Sequence, residues 1–321
     1  INQMRKKEAF FMSNGVMKSG KVKYRKKNKE GIRLFLIALP FVLFIFAFSY
    51  VPLFGWAYAF TDYRAGKGLT DIEFVGLQHF IAIWNNRREL FRVLRNTFAL
   101  SLLGLLFSPL PVVFAILINE IKSSKFRKLV QTFTTLPNFI SWIVVFTLTF
   151  AMFSADGMVN GVLRKFGAES IMNPLGNNDI AWGFQWALAT WKSLGWNAII
   201  YIAAITGIDS ELYDAVHVDG ANRWQTIWHV TVPGLYSTFF VLLLLQISNI
   251  LSNGFDQYFV FYNPLTADKL EVLDYYVYKI GVLTNNYPQS IALGMFKTII
   301  SVTLLFGANK LSQKMRGESI V

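Results

Sequence analysis

Apolar residues gather in six long blocks, and charged residues cluster between them. Residues 34–61 carry no charge and form the first block, with Pro40 and Pro52 as kink points. Residues 96–119 and 129–155 are also free of charge. Residues 180–208 are interrupted only by Lys192. A fifth block runs from Val232 to about residue 255, and a sixth from about 290 to 308, broken by Lys297. A helix needs roughly 20 apolar residues to cross a bilayer. The pattern therefore predicts an all-α polytopic membrane protein with six transmembrane helices, residues 34–311, between tails at 1–33 and 312–321. Such a chain belongs in a plasma or inner membrane.

Composition agrees. Of 321 residues, 54% are apolar and 16% charged, and mean hydropathy is +0.39. So few charges cannot cover the surface of a soluble enzyme, and such an apolar chain is not intrinsically disordered. With no cysteine, disulfides, thiol nucleophiles and Cys-ligated metals are excluded. The three histidines, His79, His217 and His229, show no metal-ligand spacing. No Gly-x-Ser-x-Gly elbow occurs, and Asp71 and Glu73 read as solvated acids rather than a catalytic pair.

The net charge of +12 would suggest nucleic acid on a soluble protein. Its placement argues otherwise. Residues 1–33 hold 11 Lys/Arg and two Glu, so nine of the twelve charges lie beside the first block. Tyr24 is the only aromatic in the run of residues 21–29, which is too little for base stacking. The apolar block that follows is also too long for a cleaved signal peptide. The positive-inside rule makes this tail cytoplasmic. The same rule places residues 120–128 inside, with Lys122, Lys125, Arg127 and Lys128, and the tail with Lys310, Lys314 and Arg316. Both termini are then cytoplasmic, and residues 62–92, 156–179 and 256–289 are external. Residues 209–231 break the rule. They must be inside, yet carry Asp209, Glu211, Asp214 and Asp219 against Arg223.

That acidic loop reads as two short helices about a turn at Asp219-Gly220, where glycine allows a positive φ. Asp219 is placed to cap the second helix, and Pro233 suits the first turn of the fifth span. Tyr213, Val216, Ala221, Trp224, Ile227 and Trp228 form an apolar stripe at helical spacing. The loop resembles the coupling loop of binding-protein-dependent ABC importer permeases. That family's pattern is Glu-Ala-Ala, three residues, Gly, nine residues, Ile, one residue, Leu-Pro. Here Asp214-Ala215-Val216, Gly220, Val230, Val232 and Pro233 keep the spacing with four conservative departures. The Tyr213-Asp214-Ala215 start and Asp219-Gly220-Ala221 are similar to the sugar and oligosaccharide branch, the maltose-type membrane subunits. So are residues 74–80, Asn96-Thr97, Leu136-Pro137 and residues 191–197.

The resemblance implies half of a transport pore. A second homologous permease would complete a heterodimer, and two ATP-binding subunits would carry ATP and Mg²⁺. An extracytoplasmic solute-binding protein would deliver a sugar or oligosaccharide. The coupling residues carried over are Tyr213, Asp214, Ala215, His217, Asp219, Gly220, Ala221 and Trp224. The chain lacks a phosphate-binding Gly-x-x-x-x-Gly-Lys-Ser/Thr loop and is expected to bind no cofactor itself.

Candidate substrate contacts follow from polar groups inside the blocks. Gln246, Asn249 and Asn253 recur at i, i+3 and i+7, which predicts one helix face turned to a wet path or to another helix. Trp191, Trp196 and Asn197 are candidates for sugar stacking and hydrogen bonding, or for packing and an interfacial belt. Lys192 and Lys297 each cost about 2.5–3.5 kcal/mol in a span. They would attract an acidic oligosaccharide, snorkel, or pair with an acid on a neighbouring chain. Two other classes compete: an ion-driven secondary transporter, which internal repeats would signal, and a membrane-embedded enzyme, which needs an intramembrane catalytic set.

Overall fold

The computed structural model describes residues 28–66, 72–167 and 172–316. Most of the basic tail, Asp71 and the last five residues fall outside them. Two compact units divide the chain, residues 1–54 and 55–321. The first contains α1 (Asn28–Ile45), which continues as a π-helical turn, Phe46–Tyr50. Its exposed Phe41, Phe44 and Phe48 belong against lipid or another protein. A 3₁₀ stretch, Val51–Phe60, leads into the second unit.

The second unit contains α2 (Gln78–Asn85), α3 (Arg87–Leu106), α4 (Leu110–Asn119), α5 (Ser124–Thr135), α6 (Trp142–Phe153) and α7 (Met158–Lys165). Then come α8 (Ala181–Thr206), α9 (Ser210–Val218), α10 (Arg223–Thr226) and α11 (Val232–Ser248). Three short helices follow, α12 (Phe255–Phe261), α13 (Ala267–Leu270) and α14 (Leu273–Tyr278). The long α15 (Tyr287–Arg316) closes the fold. Among the described residues there is no strand, only an isolated bridge between Thr61 and Phe74.

Five helical stretches are long and apolar enough to span a membrane: Gly31–Phe60, Arg87–Asn119, Trp142–Lys165, Arg223–Ser248 and Tyr287–Lys310. The expected count of six is not reached on that criterion. The remaining block folds as α8, whose 26 residues extend about 39 Å. Gln185, Lys192 and Asn197 dilute its apolarity because α8 is the inner helix, packed on several sides. Ala198, Tyr201 and Ile205 of α8 join Ala115 and Ile116 of α4 and Leu235 of α11 in one buried cluster. Gly195 lies so close to the Thr134–Thr135 backbone that a Cβ would collide with it. That contact sets the approach of α5 to α8.

Two spans are broken where the sequence predicts continuous helices. Residues 107–109 separate α3 from α4, beside Pro109 and Pro111. A 3₁₀ turn, Leu136–Phe139, separates α5 from α6, and Ser141 caps the new helix on the Val144 N–H. Proline removes a donor and forces each break.

The predicted external loop 256–289 is folded onto α3 by a buried ionic cluster. Glu271, 1% exposed, pairs with Arg92 and with Lys279 at 2.7 Å. Glu89 lies 3.6 Å from Arg92 and 3.5 Å from Lys279, and the Tyr276 hydroxyl donates to it at 3.3 Å. Asn96, fully buried, donates to the carbonyls of Asp268 (2.8 Å) and Glu271 (3.1 Å). Burial alone would lower the Lys279 ammonium, but the hydrogen bond and charge of Glu271, backed by Glu89, hold it above its usual value. The stability that Lys279 contributes is therefore complete below the ordinary lysine range, about 10.4, and is lost as pH rises through the raised value. Glu271→Ala leaves two cations facing a buried void and should cost about 3–5 kcal/mol. Thermal unfolding of the detergent-solubilised protein reads this, and an unchanged midpoint would contradict the role given to Glu271.

Candidate functional site

A cavity of about 430 Å³ lies among α3, α4, α8 and α11. Its wall is built where helices break. Phe107, Ser108, Leu110 and Pro111 come from the α3–α4 break, and Asn249, Ser252 and Asn253 from the end of α11. From α8, Trp186, Thr190, Ser193 and Asn197 recur three or four residues apart and share one face. Four of the sequence candidates thus meet here: Asn197, Gln246, Asn249 and Asn253.

They do not meet for the predicted reason. Helix α11 stops at Ser248, so Asn249 is its C-cap and Asn253 lies in non-helical chain before Gly254, whose φ is +87°. The three amides share a cavity rather than a helix face. Asn253 Nδ2 donates to Ser101 Oγ (2.8 Å) and to the Thr97 carbonyl (3.3 Å). Ser101 Oγ in turn donates to the Ile250 carbonyl at 2.6 Å. At the Tyr258 end, Gln257 Nε2 donates to Gln185 Oε1 at 2.8 Å, and both side chains are buried. Gln246 and Asn197 are exposed on the cavity lining, and among the described residues neither amide side chain has a hydrogen-bond partner. Gln246 leans toward Gly104, where an added Cβ would stand 3.1 Å from its Nε2.

The other four candidates lie outside the cavity lining. Trp191 and Trp196 are exposed at 47% and 45%, and Trp196 meets Phe139 edge-on at 5.6 Å. Lys192 Nζ donates to the Asn138 carbonyl at 2.6 Å and stands 5.5 Å from the centre of the Trp142 ring. It satisfies a carbonyl freed by the α5–α6 break. Lys297 pairs with Asp274 of the same chain. Sequence reasoning missed Ser101, Gly104, Trp186, Gln257 and Tyr258. The α8 face shared with Asn197 was a legible signal for Trp186.

At one end of the bundle, residues 209–231 fold as two helices about a left-handed glycine. Asp209 caps α9 by accepting from the Glu211 N–H at 3.0 Å. Gly220, φ +75°, ends α9 in a Schellman turn: Ala221 N–H reaches the Val216 carbonyl (3.0 Å) and Gly220 N–H the His217 carbonyl (3.1 Å). Asp219 is the C-cap of α9 and does not cap α10. Asn222 does so, in a reciprocal capping box with Gln225. Asn222 wins because its backbone is extended, as an N-cap requires. Pro233 lies in the first turn of α11, as expected. Helical chain runs from Arg223 through a π turn, Ile227–Thr231, into α11, so Pro233 lies within it. The wider π turn accommodates the missing donor.

The predicted apolar stripe divides. Tyr213, Val216, Ala221 and Ile227 are half-buried, while Trp224 (69%) and Trp228 (64%) are exposed. Tyr213 Oη and Thr231 Oγ1 are 3.1 Å apart, tying α9 to the root of α11. Arg223 pairs with Glu120 at 3.5 Å, tying α10 to the α4–α5 turn. Asp214, Ala215, His217, Asp219 and Gly220 remain exposed around these anchors. Among the described residues no cluster of three or more His, Asp or Glu side chains could hold a metal.

Broken apolar helices around a polar cavity, with an exposed helix–glycine–helix module braced against their ends, fit a membrane transport subunit, and the comparisons with known proteins agree. The chain belongs to the family described as binding-protein-dependent transport system inner membrane component, whose sequence model matches residues 108–317. It is 37% identical to the polygalacturonan/rhamnogalacturonan transport system permease protein YteP of Bacillus subtilis, over 89% of each chain. It is 35% identical to protein LplB of the same organism, over 95% of this chain and 96% of that one. Among solved structures it resembles a chain of a bacterial ABC transporter involved in the import of the acidic polysaccharide alginate. That match has a TM-score of 0.82 and 31% identity, covering 90% of this chain and 97% of that one.

If the cavity carries solute, narrowing it should slow transport. Gly104→Leu should lower the transport rate of the reconstituted system about tenfold, roughly 1.4 kcal/mol in barrier, while the protein still assembles. Undiminished transport by a correctly assembled Gly104→Leu protein would remove the cavity from the path.

Proposed function

We propose that this chain is one half of the pore of an ATP-driven importer that moves a sugar or oligosaccharide. The observation that carries the reading is the cavity. Trp186 and Tyr258 line it together with the exposed amide side chains of Gln246 and Asn197, a mix of aromatic and hydrogen-bonding groups that suits a polyhydroxylated solute. The alginate transporter and the polygalacturonan permease support a polysaccharide-derived substrate, including an acidic one. Among the described residues no cationic side chain lines the cavity. An acidic substrate would therefore be held by amide and hydroxyl donors.

A second, homologous permease completes the pore, and an extracytoplasmic binding protein loads it. Two ATP-binding subunits bind ATP and Mg²⁺ and close on each other. Each receives one permease module, here Tyr213, Asp214, Ala215, His217, Asp219, Gly220, Ala221 and Trp224. Exposed Trp224 and Val218 offer apolar anchors, and the acids around them give the loop its sign. The anchors Tyr213–Thr231 and Arg223–Glu120 then pass closure into α11 and the α4–α5 turn, alternating access to the cavity. The Arg223–Glu120 pair also puts the acidic loop at the same end as basic residues 120–128. Both are cytoplasmic in this reading, with the two termini.

Two variants test the reading. Gly220→Arg forces a bulky residue into φ > 0 on the docking surface. It should abolish transport and uncouple or release the ATPase while membrane insertion persists, as co-purification and ATP hydrolysis stimulated by loaded binding protein would show. Normal transport by that variant would sink the coupling assignment. Lys192→Met should slow neutral and acidic oligosaccharides alike, because it orphans the Asn138 carbonyl. A loss confined to acidic solutes would instead make Lys192 a substrate contact.

A further inference from the structure

Lys297 interrupts α15, and a cation at such a place is costly unless it is paired. Its partner, Asp274 on α14, is 14% exposed, and Lys297 is 22% exposed. The two carboxylate oxygens of Asp274 do different things. Oδ1 meets the Lys297 ammonium. Oδ2 accepts two backbone N–H groups, those of Asn253 (3.1 Å) and Gly254 (3.2 Å). These donors belong to the non-helical chain between α11 and α12. The same few residues form part of the cavity wall, through Ser252 and Asn253. Asn253 bonds across to Ser101 and Thr97, and its Oδ1 is buried without a partner. Asp274 and Lys297 themselves do not line the cavity.

We infer that the Asp274–Lys297 pair is a positioning device that sets solute selectivity: it fixes the break at residues 252–254, and so the shape of the cavity wall, without touching solute. The inference rests on the cavity being the solute path. A charged acceptor holds two amide donors more strongly than a neutral one. It stays in place inside the bundle only because Lys297 balances it. A purely structural need would be met as well by apolar residues, since buried ion pairs seldom add net stability.

The chain has no cysteine, so Ser252→Cys places a single thiol on the cavity wall. The assembled transporter, reconstituted with its binding protein, is assayed for KM and maximal rate with neutral and uronate-containing oligosaccharides. Labelling of the 252 thiol by a hydrophilic maleimide is followed in parallel. Lys297→Met should raise KM about tenfold for some oligosaccharides more than others, with a smaller change in maximal rate and an altered labelling rate. Lys297→Met/Asp274→Asn keeps an oxygen acceptor for the two N–H groups and leaves no charge to balance, so it should restore KM, selectivity and labelling. Asp274→Ala should remain defective with either residue at 297.

A double variant no better than Lys297→Met overturns the proposal, as does a defect confined to acidic solutes, which would make Lys297 a direct contact. If transported solute protects the thiol but no pair variant alters labelling or selectivity, the positioning role alone is overturned. If no transported solute protects the thiol in the otherwise unaltered chain, the cavity reading falls and the proposal with it.

Discussion

A peptide group inside a bilayer has no water to bond, so each N–H and C=O must find its partner within the protein. An unbroken helix meets that demand alone, but it cannot line a polar passage with varied backbone and side chains. This chain breaks helices at residues 107–109, 136–141 and 249–254, and two of the breaks form part of the cavity wall. Every break needs outside partners. Lys192 takes the Asn138 carbonyl, Ser101 the Ile250 carbonyl, and Asp274 the N–H groups of Asn253 and Gly254. At the α4–α5 turn the Arg127 guanidinium takes the carbonyls of Asn119 and Ile121. The charged residues that look misplaced in apolar blocks are largely those the breaks require.

Satisfaction of breaks also orders the rest of the bundle. Helix α8 runs unbroken beside two of them, and its polar residues turn to the cavity, to Asn138 or to Gln257. The segment 255–278 lies over the N-terminal half of α3, held by Asn96, Thr97 and the charges around Glu271. In water such a cluster is worth little. Around a side chain 1% exposed, its opposite signs must balance, because each charge removed leaves another uncompensated.

Much of this was legible in the sequence. Block length and apolarity located the spans, and the spacing around Gly220 located the module that bends there. Proline at 109, 111 and 137 stood in plain view, but break residues are themselves uncharged, so apolarity counts run straight through them. The candidates separated by a physical rule. Amides of α8, α11 and the chain just after it reached the cavity because a neutral polar group can face a wet space without a countercharge. Lys192 and Lys297 did not, because a buried cation must be answered first, and what answered them lay 54 and 23 residues away. Such partners are set by tertiary packing and leave no local pattern. The capping of α10 by Asn222 rather than Asp219 is a smaller case of the same kind. Both residue types cap well, and backbone conformation chose between them.

Charge in this chain therefore carries three separable messages. The basic tail and the turn at 120–128 speak of topology, through an excess that faces one side. The acids of residues 209–219 contradict that excess, and they stand exposed around the turn at Gly220, on the surface proposed to dock the ATP-binding subunit. The intramembrane cations neither orient the chain nor dock it. They hold a carbonyl and a carboxylate at helix breaks, and in the proposed reading solute recognition falls to the neutral groups that line the cavity. A neutral lining binds hydroxyl-rich solute by many weak bonds. Weak bonds release as readily as they form, and a passage, unlike a storage site, depends on release.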